Sequence, residues 1–546
     1  MKNKLKKTDV IVVGAGFAGV YLTDLLAKKG LSVQTIEAAK DVGGTWYWNR
    51  YPGAKCDIQS MEYSYSFSKE IQDEWVWTNK YAAQPEILKY IQFVADKLDV
   101  RKNMKFNTKV TDAIYDEESH SWTVSTDKGD EFECQYFIMA TGCLSVPSTP
   151  NFKGMADFKG ELYHTGSWPE KKMDFKGKKV AVIGTGSSGI QAIPVIAETA
   201  DKLTVFVRDS SYTLPANNKP LSATFIEKVK ADYETIRNRE RYSVSGHVLA
   251  VNDEAFEDIL FCEPAEAPMH TIPKDELFKI LDEKYISSGL ALPVTFQDLT
   301  YDEQSDEVFR EYLDGRIRSL VNDPEKAAVL IPKGDRFYDR RPVMDTHYYE
   351  TFNKENVDLV DVNKNMIIEF TESGIRTADA DLEFDVIVCA TGFDAMTGAI
   401  TRVNIQGKEG KTLKEYWKNG PRMYLGLMAN GFPNLFTVTG PGSPSVLSNM
   451  LVSIEQHVEW IDACIQHMKE QKINSIEAEY DAEEAWIQHN IELAQPLFIT
   501  HGNSWYVGAN VPGKPRVIMP YTGGVSLYRE KCEEVVNNGY EGFIFG

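Results

Sequence analysis

The stretch Asp9-Val-Ile-Val-Val-Gly14-Ala-Gly16-Phe-Ala-Gly19 decides how the first part of the chain folds. A short β-branched run breaks into glycines, and apolar residues then recur at helical spacing, which indicates strand, tight turn and helix. In such a turn the first glycine makes the bend, the second lets backbone approach a pyrophosphate, and the third lets the helix pack on the strand. One such motif is weak evidence, so its meaning depends on the rest of the chain.

The same pattern returns 170 residues later as Lys179-Val-Ala-Val-Ile-Gly184-Thr-Gly186-Ser-Ser-Gly189. Each copy is followed by another apolar strand, at 32–36 after the first and 203–207 after the second, so each has the order of a βαβ unit. Two chance copies in this setting are improbable. The sequence therefore predicts an α/β protein with two Rossmann-like dinucleotide-binding domains.

The residue that closes the second strand distinguishes the two nucleotide sites. Glu37 lies 23 positions after Gly14, where a carboxylate accepts hydrogen bonds from ribose hydroxyls and repels a 2′-phosphate. Arg208 lies 24 positions after Gly184, where a guanidinium pairs with the phosphate of NADP. Either residue alone is equally well explained as a solvated charge at a strand end. The matched pair favours FAD at the first site and NADPH at the second.

Length and charge restrict the class of protein. The 546 residues are enough for about three to five domain-sized units, and 43% hydrophobic with 25% charged residues is typical of a soluble globular chain. A net charge of −21 disfavours nucleic acid and anionic lipid as partners. The lysines before the apolar run 10–22 imitate a signal peptide, but its three glycines contradict that interpretation. We expect a cytoplasmic protein without a nucleic-acid, membrane or obligate protein partner.

Two nucleotide sites imply hydride transfer from NADPH to FAD, after which electrons pass to a disulfide, a separate carrier or oxygen. The seven cysteines are scattered and form no C-x-x-C, which disfavours disulfide exchange. Histidines and carboxylates show no metal-ligand spacing such as H-E-x-x-H, so no metal site is predicted. Oxygen handled by the flavin alone is the route that remains.

Two features indicate how the chain is divided. The buried-type strands before Ala140-Thr-Gly142 and Ala390-Thr-Gly392 echo each other. Between 220 and 330 the chain becomes charged with helical periodicity, which predicts a mostly helical insertion. The alternative is that this segment supplies the outer helices of the second domain.

Two further motifs carry a family resemblance. Phe158-Lys-Gly160-Glu-Leu-Tyr-His164-Thr-Gly-Ser-Trp168-Pro169 resembles the F-x-G-x-x-x-H-x-x-x-W-P fingerprint of type I Baeyer–Villiger monooxygenases. The stretch from Gly43 to Asp57 resembles the second signature of that family. The resemblance extends over nearly the whole chain and is weakest at about 220–330. It is closer to the phenylacetone-oxidising branch than to the cyclohexanone-oxidising one.

The family's organisation implies a domain division for this chain. Residues 1–147 and 385–546 would form the FAD-binding domain, and 148–219 with 331–384 the NADP-binding domain, interrupted by the helical insertion 220–330. The two Ala-Thr-Gly strands would mark the crossings between the domains.

The resemblance implies a flavin-dependent Baeyer–Villiger monooxygenase. NADPH reduces FAD, O₂ forms a C4a-peroxyflavin, and one oxygen is inserted next to a ketone carbonyl to give an ester or lactone, with sulfoxidation as a side activity. Arg341 occupies the place of the catalytic arginine, and Asp57 that of the aspartate that orients it. A guanidinium, with a pKa above about 12, stays charged beside the peroxide and the developing oxyanion.

Spacing and resemblance together assign the other site residues. FAD is expected to contact Gly14, Gly16, Phe17, Ala18, Gly19, Glu37, Gly44, Thr45, Trp46, Asp57 and Tyr63. NADP is expected to contact Thr185, Gly186, Ser187, Ser188, Gly189, Arg208, Arg340 and Trp505, with Arg340 standing where relatives usually have lysine. The ketone is expected to contact Ser445, Val446, Leu447 and Trp505. In the fingerprint of Phe158, Gly160, His164 and Trp168, a hinge or orienting role for His164 is favoured over acid–base catalysis.

Two other functions remain open from the sequence. Flavin-dependent N- and S-oxygenases share the two glycine motifs and need no arginine beside the oxygenating flavin, although Trp168-Pro169 favours the Baeyer–Villiger family. A non-catalytic dinucleotide sensor would bind both cofactors without turnover.

Overall fold

The computed structural model describes residues 5–171, 173–250, 258–265, 267–287, 292 and 295–546. Two five-stranded parallel sheets form its framework, which confirms the predicted α/β class with two Rossmann-like units. In spatial order, the first sheet contains Leu435–Thr437, Tyr136–Met139, Val10–Val13, Val33–Ile36 and Met104–Lys105. The second contains Val357–Asp361, Lys202–Val207, Lys179–Ile183, Val386–Cys389 and Glu161–His164.

Each glycine-rich turn leads from a central strand into a helix, as predicted. Helix Phe17–Lys28 follows the first turn and helix Ser187–Ala197 follows the second. The strand Val10–Val13 is buried along its whole length. This burial explains the continuous β-branched run, because a parallel strand covered on both faces has no solvent side.

The two faces of the first sheet belong to separate cores. Val10 and Val12 pack with helix Phe17–Lys28 and with the long helix Met450–Gln471. Ile11 and Val13 pack against a third sheet, of mixed strand direction, on the opposite face. That sheet contains, in spatial order, Lys6–Lys7, Glu131–Cys134, Ser121–Thr126, Val110–Asp116 and Asn404–Gln406.

The remaining regular elements complete the two units. The short strands are Thr213–Pro215, Leu249–Ala250, Leu260–Phe261, Val343–Asp345, Ile367–Thr371, Gly374–Thr377, Asp381–Glu383, Ile476–Ala478 and Phe543–Phe545. Among the described residues outside 220–330, the α-helices besides those already given are Thr45–Trp48, Lys69–Glu74, Gln84–Lys97, Tyr348–Thr351, Gly398–Thr401, Leu413–Tyr416, Tyr480–Ala494 and Gly524–Asn537.

One predicted domain boundary is wrong by a strand. Val386–Cys389 pairs in parallel with Lys179–Ile183 and with Glu161–His164, so it belongs to the second sheet and not to the first unit, to which a boundary at 385 assigned it. The chain crosses back after this strand, at Ala390-Thr-Gly392. There it meets the first crossing, since the Ser148 amide donates to the Gly392 carbonyl at 2.8 Å and the Asp394 amide to the Val146 carbonyl at 2.9 Å.

The segment 220–330 is mostly helical among its described residues, but it does not pack as one body. Helices Ala223–Ala231 and Tyr233–Arg241 pack on the core of the first sheet. Lys274–Ser287, Glu303–Leu320 and Pro324–Leu330 contribute to the core of the second. The alternative interpretation, in which the segment supplies outer helices of the second domain, therefore holds for the part from Lys274 onwards. The predicted insertion also covers residues 251–257, 266, 288–291 and 293–294, which lie outside the described residues.

Gly315 offers a test of helix propensity. It is an exposed residue of helix Glu303–Leu320, and an added Cβ would meet no atom of the described residues within 4 Å. Because glycine is less favourable than alanine inside a helix, Gly315→Ala should raise the free energy of unfolding by about 0.5–1 kcal/mol. Urea unfolding of the two proteins measures this difference. Equal or lower stability of the variant would contradict it.

His457 makes stability depend on pH. Its ring is fully buried; Nδ1 accepts the Thr439 amide at 2.8 Å, and Nε2 lies 2.8 Å from the Tyr528 hydroxyl, which itself donates to the Leu425 carbonyl. Burial lowers the pKa of His457 from 6.5 to about 3. Between about pH 6.5 and 3 the His457 ring therefore binds a proton in the unfolded chain but not in the folded chain. The free energy of unfolding consequently falls as pH drops from about 6.5 to about 3.

The expected slope from His457 is about 1.4 kcal/mol per pH unit within that window. Urea unfolding of the wild type and His457→Gln at pH 7.5 and 5.5 isolates this contribution, because the other titrating groups are shared. The variant should lose about 1 kcal/mol less than the wild type on acidification. Equal losses would show that His457 titrates normally in the folded state.

Candidate active site

A cavity of about 1610 Å³ lies between the two nucleotide-binding units. Both glycine-rich turns, both Ala-Thr-Gly crossings and the Gly43–Asp57 stretch contribute to its wall. The expected site residues that line it are Gly14, Gly16, Phe17, Ala18, Glu37, Gly44, Thr45, Trp46, Asp57, Tyr63, Thr185, Gly186, Ser187, Ser188, Arg208, Arg340, Arg341, Val446 and Trp505. Gly14 and Trp505, which are 491 positions apart in the sequence, thus line one space.

The first glycine turn has the geometry of a nucleotide cradle. Gly14 has φ +105°, and a Cβ there would lie 2.6 Å from the Ala140 carbonyl oxygen. A Cβ on Gly19 would lie 1.8 Å from the Gly14 carbonyl oxygen, so this glycine serves helix packing and does not line the cavity. Gly16 faces Gly44, whose Cα is 3.3 Å from a Cβ built on Gly16. Two backbones therefore approach each other where a side chain would obstruct a ligand.

Glu37 stands at the end of its strand as the spacing predicts. Its carboxylate accepts the Ala15 amide at 2.6 Å and the Ala39 amide at 2.7 Å, and the residue is 5% exposed. Burial raises the pKa of the Glu37 carboxyl, and these amide bonds oppose that shift. The carboxylate is fixed in the cavity wall and retains lone pairs for hydroxyl donors.

The second glycine turn repeats the first in its sterics. A Cβ on Gly189 would lie 2.2 Å from the Gly184 carbonyl oxygen, whereas one on Gly186 would meet no described atom within 4 Å. Thr185 Oγ1 donates to the Asp209 carbonyl at 2.9 Å, which ties the turn to the end of the following strand. Gly186 therefore borders open cavity, and Gly189 lies at the helix contact.

Arg341 and Asp57 lie together in the cavity wall. Arg341 Nη2 is 3.4 Å from Asp57 Oδ2. Nη1 donates to the Val446 carbonyl at 3.1 Å and to the Tyr506 hydroxyl at 3.4 Å. Burial opposes the charge of the guanidinium, but Tyr506 and Asp57 outweigh burial and raise the pKa of Arg341 above its usual value. The site therefore contains a positive charge that no working pH removes.

A second side chain, Gln191 of the second nucleotide-binding unit, also holds Asp57. Gln191 of helix Ser187–Ala197 directs Nε2 to Asp57 Oδ1 at 3.4 Å, and its Oε1 accepts the Tyr51 hydroxyl at 2.9 Å. Burial raises the pKa of the Asp57 carboxyl and the charge of Arg341 opposes that rise. Sequence reasoning missed Gln191 and Tyr506, because neither stands at a motif position and both meet the pair only through the fold.

The four fingerprint residues serve the packing of the second unit and do not line the cavity. Phe158 packs in the core under the second sheet, and the rings of Trp168 and Tyr163 lie with their centroids 5.3 Å apart and their planes inclined at 39°. A Cβ on Gly160 would lie 2.6 Å from the Asp385 carbonyl oxygen, so strand Glu161–His164 joins the sheet only because this residue is glycine.

His164 connects the two crossings between the units. Its Nε2 is 3.1 Å from the Thr391 hydroxyl, which donates to the Ser148 carbonyl at 2.7 Å, and its Nδ1 accepts the Gly166 amide at 2.9 Å. Burial lowers the pKa of His164 below 6.5, which leaves the ring neutral at pH 7. The ring is 8% exposed and does not line the cavity. This geometry supports an orienting role over acid–base catalysis.

The predicted ketone contacts are only partly at the cavity. Val446 and Trp505 line it, but Ser445 and Leu447 do not. Ser445 is fully buried, and Leu447 packs in the small core beneath the loop. Successive residues of the short helical turn Ser445–Leu447 point in different directions, so only one of the three faces the cavity.

Among the described residues, one histidine–carboxylate group has ligand atoms close enough together for a metal ion. His270, Asp298 and Asp302 place theirs within 4.8 Å of one another, away from the cavity. Asp298 already accepts the Met269 amide, and Asp302 caps helix Glu303–Leu320. Across the same described residues, no helix has both the length and the apolar character needed to cross a bilayer.

Comparison with known proteins bears on this arrangement. The family model described as pyridine nucleotide-disulphide oxidoreductase matches residues 11–254. Cyclohexanone 1,2-monooxygenase of Acinetobacter sp. is 39% identical over 539 residues, which cover 98% of this chain and 96% of that protein.

Solved structures are similar over the whole chain. Oxidised steroid monooxygenase bound to NADP is 43% identical, with 99% of each chain covered and a TM-score of 0.92. The complex of OTEMO with FAD and NADP is 38% identical, with 100% of each chain covered and a TM-score of 0.93. With both signature motifs in place and full-length relatives at this identity, the chain belongs to the type I Baeyer–Villiger monooxygenases.

Proposed function

We propose that this protein uses FAD, NADPH and O₂ to convert ketones into esters or lactones by inserting one oxygen atom next to the carbonyl. The observation that carries the proposal is that one cavity is bordered by two nucleotide-binding turns and by the Arg341–Asp57 pair. The family membership supports the same reaction. Which branch of the family the chain is nearest to stays a prediction.

The residues of the first unit fit FAD. The close approach of Gly16 and Gly44 leaves room for a pyrophosphate against bare backbone, at the N-terminus of helix Phe17–Lys28. Glu37 would accept the ribose hydroxyls. Trp46 donates its indole N–H to the Tyr63 hydroxyl at 3.1 Å, and this pair would form a wall of the flavin region.

The residues of the second unit fit a nicotinamide coenzyme. Gly186 leaves the space that a pyrophosphate needs beside the N-terminus of helix Ser187–Ala197. Arg208 and Arg340 line the same part of the cavity and supply positive charge for the additional phosphate of NADPH.

When bound, FAD supplies the reaction of its reduced form with O₂ and NADPH supplies the hydride for that reduction. The contribution of Arg341 is electrostatic. Its guanidinium stabilises the negative charge that develops on the carbonyl oxygen of the ketone, because it is fixed by three partners before the substrate is attacked. Asp57 maintains that orientation. Trp505 and Val446 would limit access of water to the ketone.

The test is the consumption of NADPH by the FAD-loaded protein in air, with and without phenylacetone, 2-octanone and cyclohexanone. Faster consumption with at least one ketone, together with an ester or lactone in the product mixture, is expected. If no ketone changes the rate of NADPH oxidation and the protein oxygenates amines or sulfides instead, its function is N- or S-oxygenation and the proposal is wrong. Binding of both cofactors without any turnover would favour the sensor.

A further inference from the structure

The coenzyme end of the cavity contains four alternating charges. Arg208 Nε is 2.8 Å from Asp209 Oδ2, and Arg340 Nη2 is 2.8 Å from Asp335 Oδ2. Arg208, Asp209 and Arg340 line the cavity, whereas Asp335 stands behind Arg340. Two positive and two negative charges therefore cancel where the second nucleotide site is expected to distinguish NADPH from NADH.

The charge of Asp209 also acts on the carboxyl of Asp335. Burial raises the pKa of the Asp335 carboxyl, Arg340 lowers it, and the charges of Asp339 and, to a smaller extent, Asp209 raise it further. The charge of Asp209 therefore acts on the Arg340–Asp335 pair as well as on Arg208. A 2′-phosphate entering this cluster meets Asp209 as well as Arg208 and Arg340, so its gain from the arginines is reduced.

Asp209 stands next to the position of the ribose-binding carboxylate, which Arg208 occupies here as the first residue after its strand. Asp209 follows strand Lys202–Val207 by two residues, and its carbonyl accepts the Thr185 hydroxyl of the glycine turn. At the corresponding end of the first unit, Glu37 follows strand Val33–Ile36 by one residue. A carboxylate at this place hydrogen-bonds the free 2′-hydroxyl that NADH has and NADPH lacks. Asp209 and Arg208 therefore offer one partner for each coenzyme.

We infer that Asp209 is a specificity-determining residue that allows the second nucleotide site to accept NADH as well as NADPH. The inference rests on the proposed function, since it assigns the coenzyme class of that same site. NADPH is recognised by Arg340 and by the Nη atoms of Arg208, since the ion pair with Asp209 uses Nε. NADH is recognised by the Asp209 carboxylate. Because NADH has no 2′-phosphate to pair with the two arginines, Asp209 and Asp335 compensate their charge.

The test is equilibrium binding to the full-length, FAD-loaded protein in its oxidised form, by calorimetric titration with NADP⁺ and with NAD⁺ at one ionic strength. The wild type should bind both. Asp209→Asn should bind NADP⁺ about fivefold more tightly, since one negative charge is removed from beside the phosphate. It should bind NAD⁺ more weakly, so that the ratio of the two dissociation constants rises by about tenfold. Asp209→Ser should change the ratio in the same direction.

Asp201→Asn is the matched control. Asp201 is an exposed residue that directly precedes strand Lys202–Val207, at the end opposite to Asp209, and it does not line the cavity. Asp201→Asn changes the net charge by the same amount as Asp209→Asn. Its ratio should equal that of the wild type. An unchanged ratio in both Asp209 variants, or a wild type that binds NADP⁺ but not NAD⁺, would overturn the inference. A wild type that binds neither would contradict the proposed function itself.

Discussion

Replacing Arg341 with alanine should reduce ester or lactone formation by a factor of at least about 100 while reduction of the flavin by NADPH persists. The guanidinium is a positive charge in the cavity wall that is held in place by Asp57, Tyr506 and the Val446 carbonyl. A charge of this kind lowers the energy of the developing oxyanion and has no such role in hydride transfer. Product formation and anaerobic flavin bleaching, measured on the same preparation, separate the two steps.

Two further variants make this result interpretable. Arg341→Lys keeps the charge but loses the planar fork that reaches three partners, so it should retain only part of the oxygenation. Arg336→Gln is the control: this nearby arginine pairs with Glu303 and does not line the cavity, so its products should match those of the wild type. Preserved ester formation in Arg341→Ala would remove Arg341 from the mechanism and favour an oxygenation that needs no adjacent cation.

Alanine substitutions at two glycines of the second glycine turn should impair different properties. Gly189→Ala should lower the stability of the protein, whereas Gly186→Ala should weaken coenzyme binding. In Gly189→Ala the new Cβ would lie 2.2 Å from the Gly184 carbonyl oxygen, so helix Ser187–Ala197 must move away from its strand. We expect destabilisation of about 1–3 kcal/mol or more, since both contacting atoms belong to rigid elements. In Gly186→Ala the new Cβ meets no described atom within 4 Å, and φ there is −81°. The protein should therefore fold and retain FAD.

Gly186→Ala should nevertheless bind NADP⁺ at least about tenfold more weakly, because its methyl group occupies the space into which the pyrophosphate must come. Melting temperature and FAD content report on folding, and titration with NADP⁺ reports on the site. If Gly186→Ala binds NADP⁺ as the wild type does, the coenzyme does not pass over this turn. If Gly189→Ala is as stable as the wild type, the helix contact is looser than the structure has it.

Local patterns predicted the parts of this molecule that depend on local backbone geometry. The two glycine turns, the strands around them, Glu37 and Arg208 follow from spacings within about 25 residues of chain. A turn that needs φ above +100° at Gly14 and Gly184 leaves few alternatives.

Features that depend on distant parts of the chain were harder to predict. Gln191 and Tyr506 reach the Arg341–Asp57 pair from elements far away in sequence, and no pattern marks them. The direction in which Ser445, Val446 and Leu447 point depends on how their turn packs on its neighbours, which composition does not encode. The strand Val386–Cys389 could pair with either sheet by its apolar character alone, and only the sheet order shows to which it belongs.

The central claim is that one oxygen atom of O₂ is inserted next to the carbonyl of a ketone. Its most direct test is the mass of the product that forms under ¹⁸O₂ from a ketone that the protein converts. The FAD-loaded protein, NADPH and the ketone are incubated in ordinary water, and the ester or lactone is analysed by mass spectrometry. The account predicts one labelled oxygen atom in each product molecule and none when the label is supplied in water. NADPH oxidation that yields only labelled hydrogen peroxide, with every ketone recovered unchanged, would contradict it.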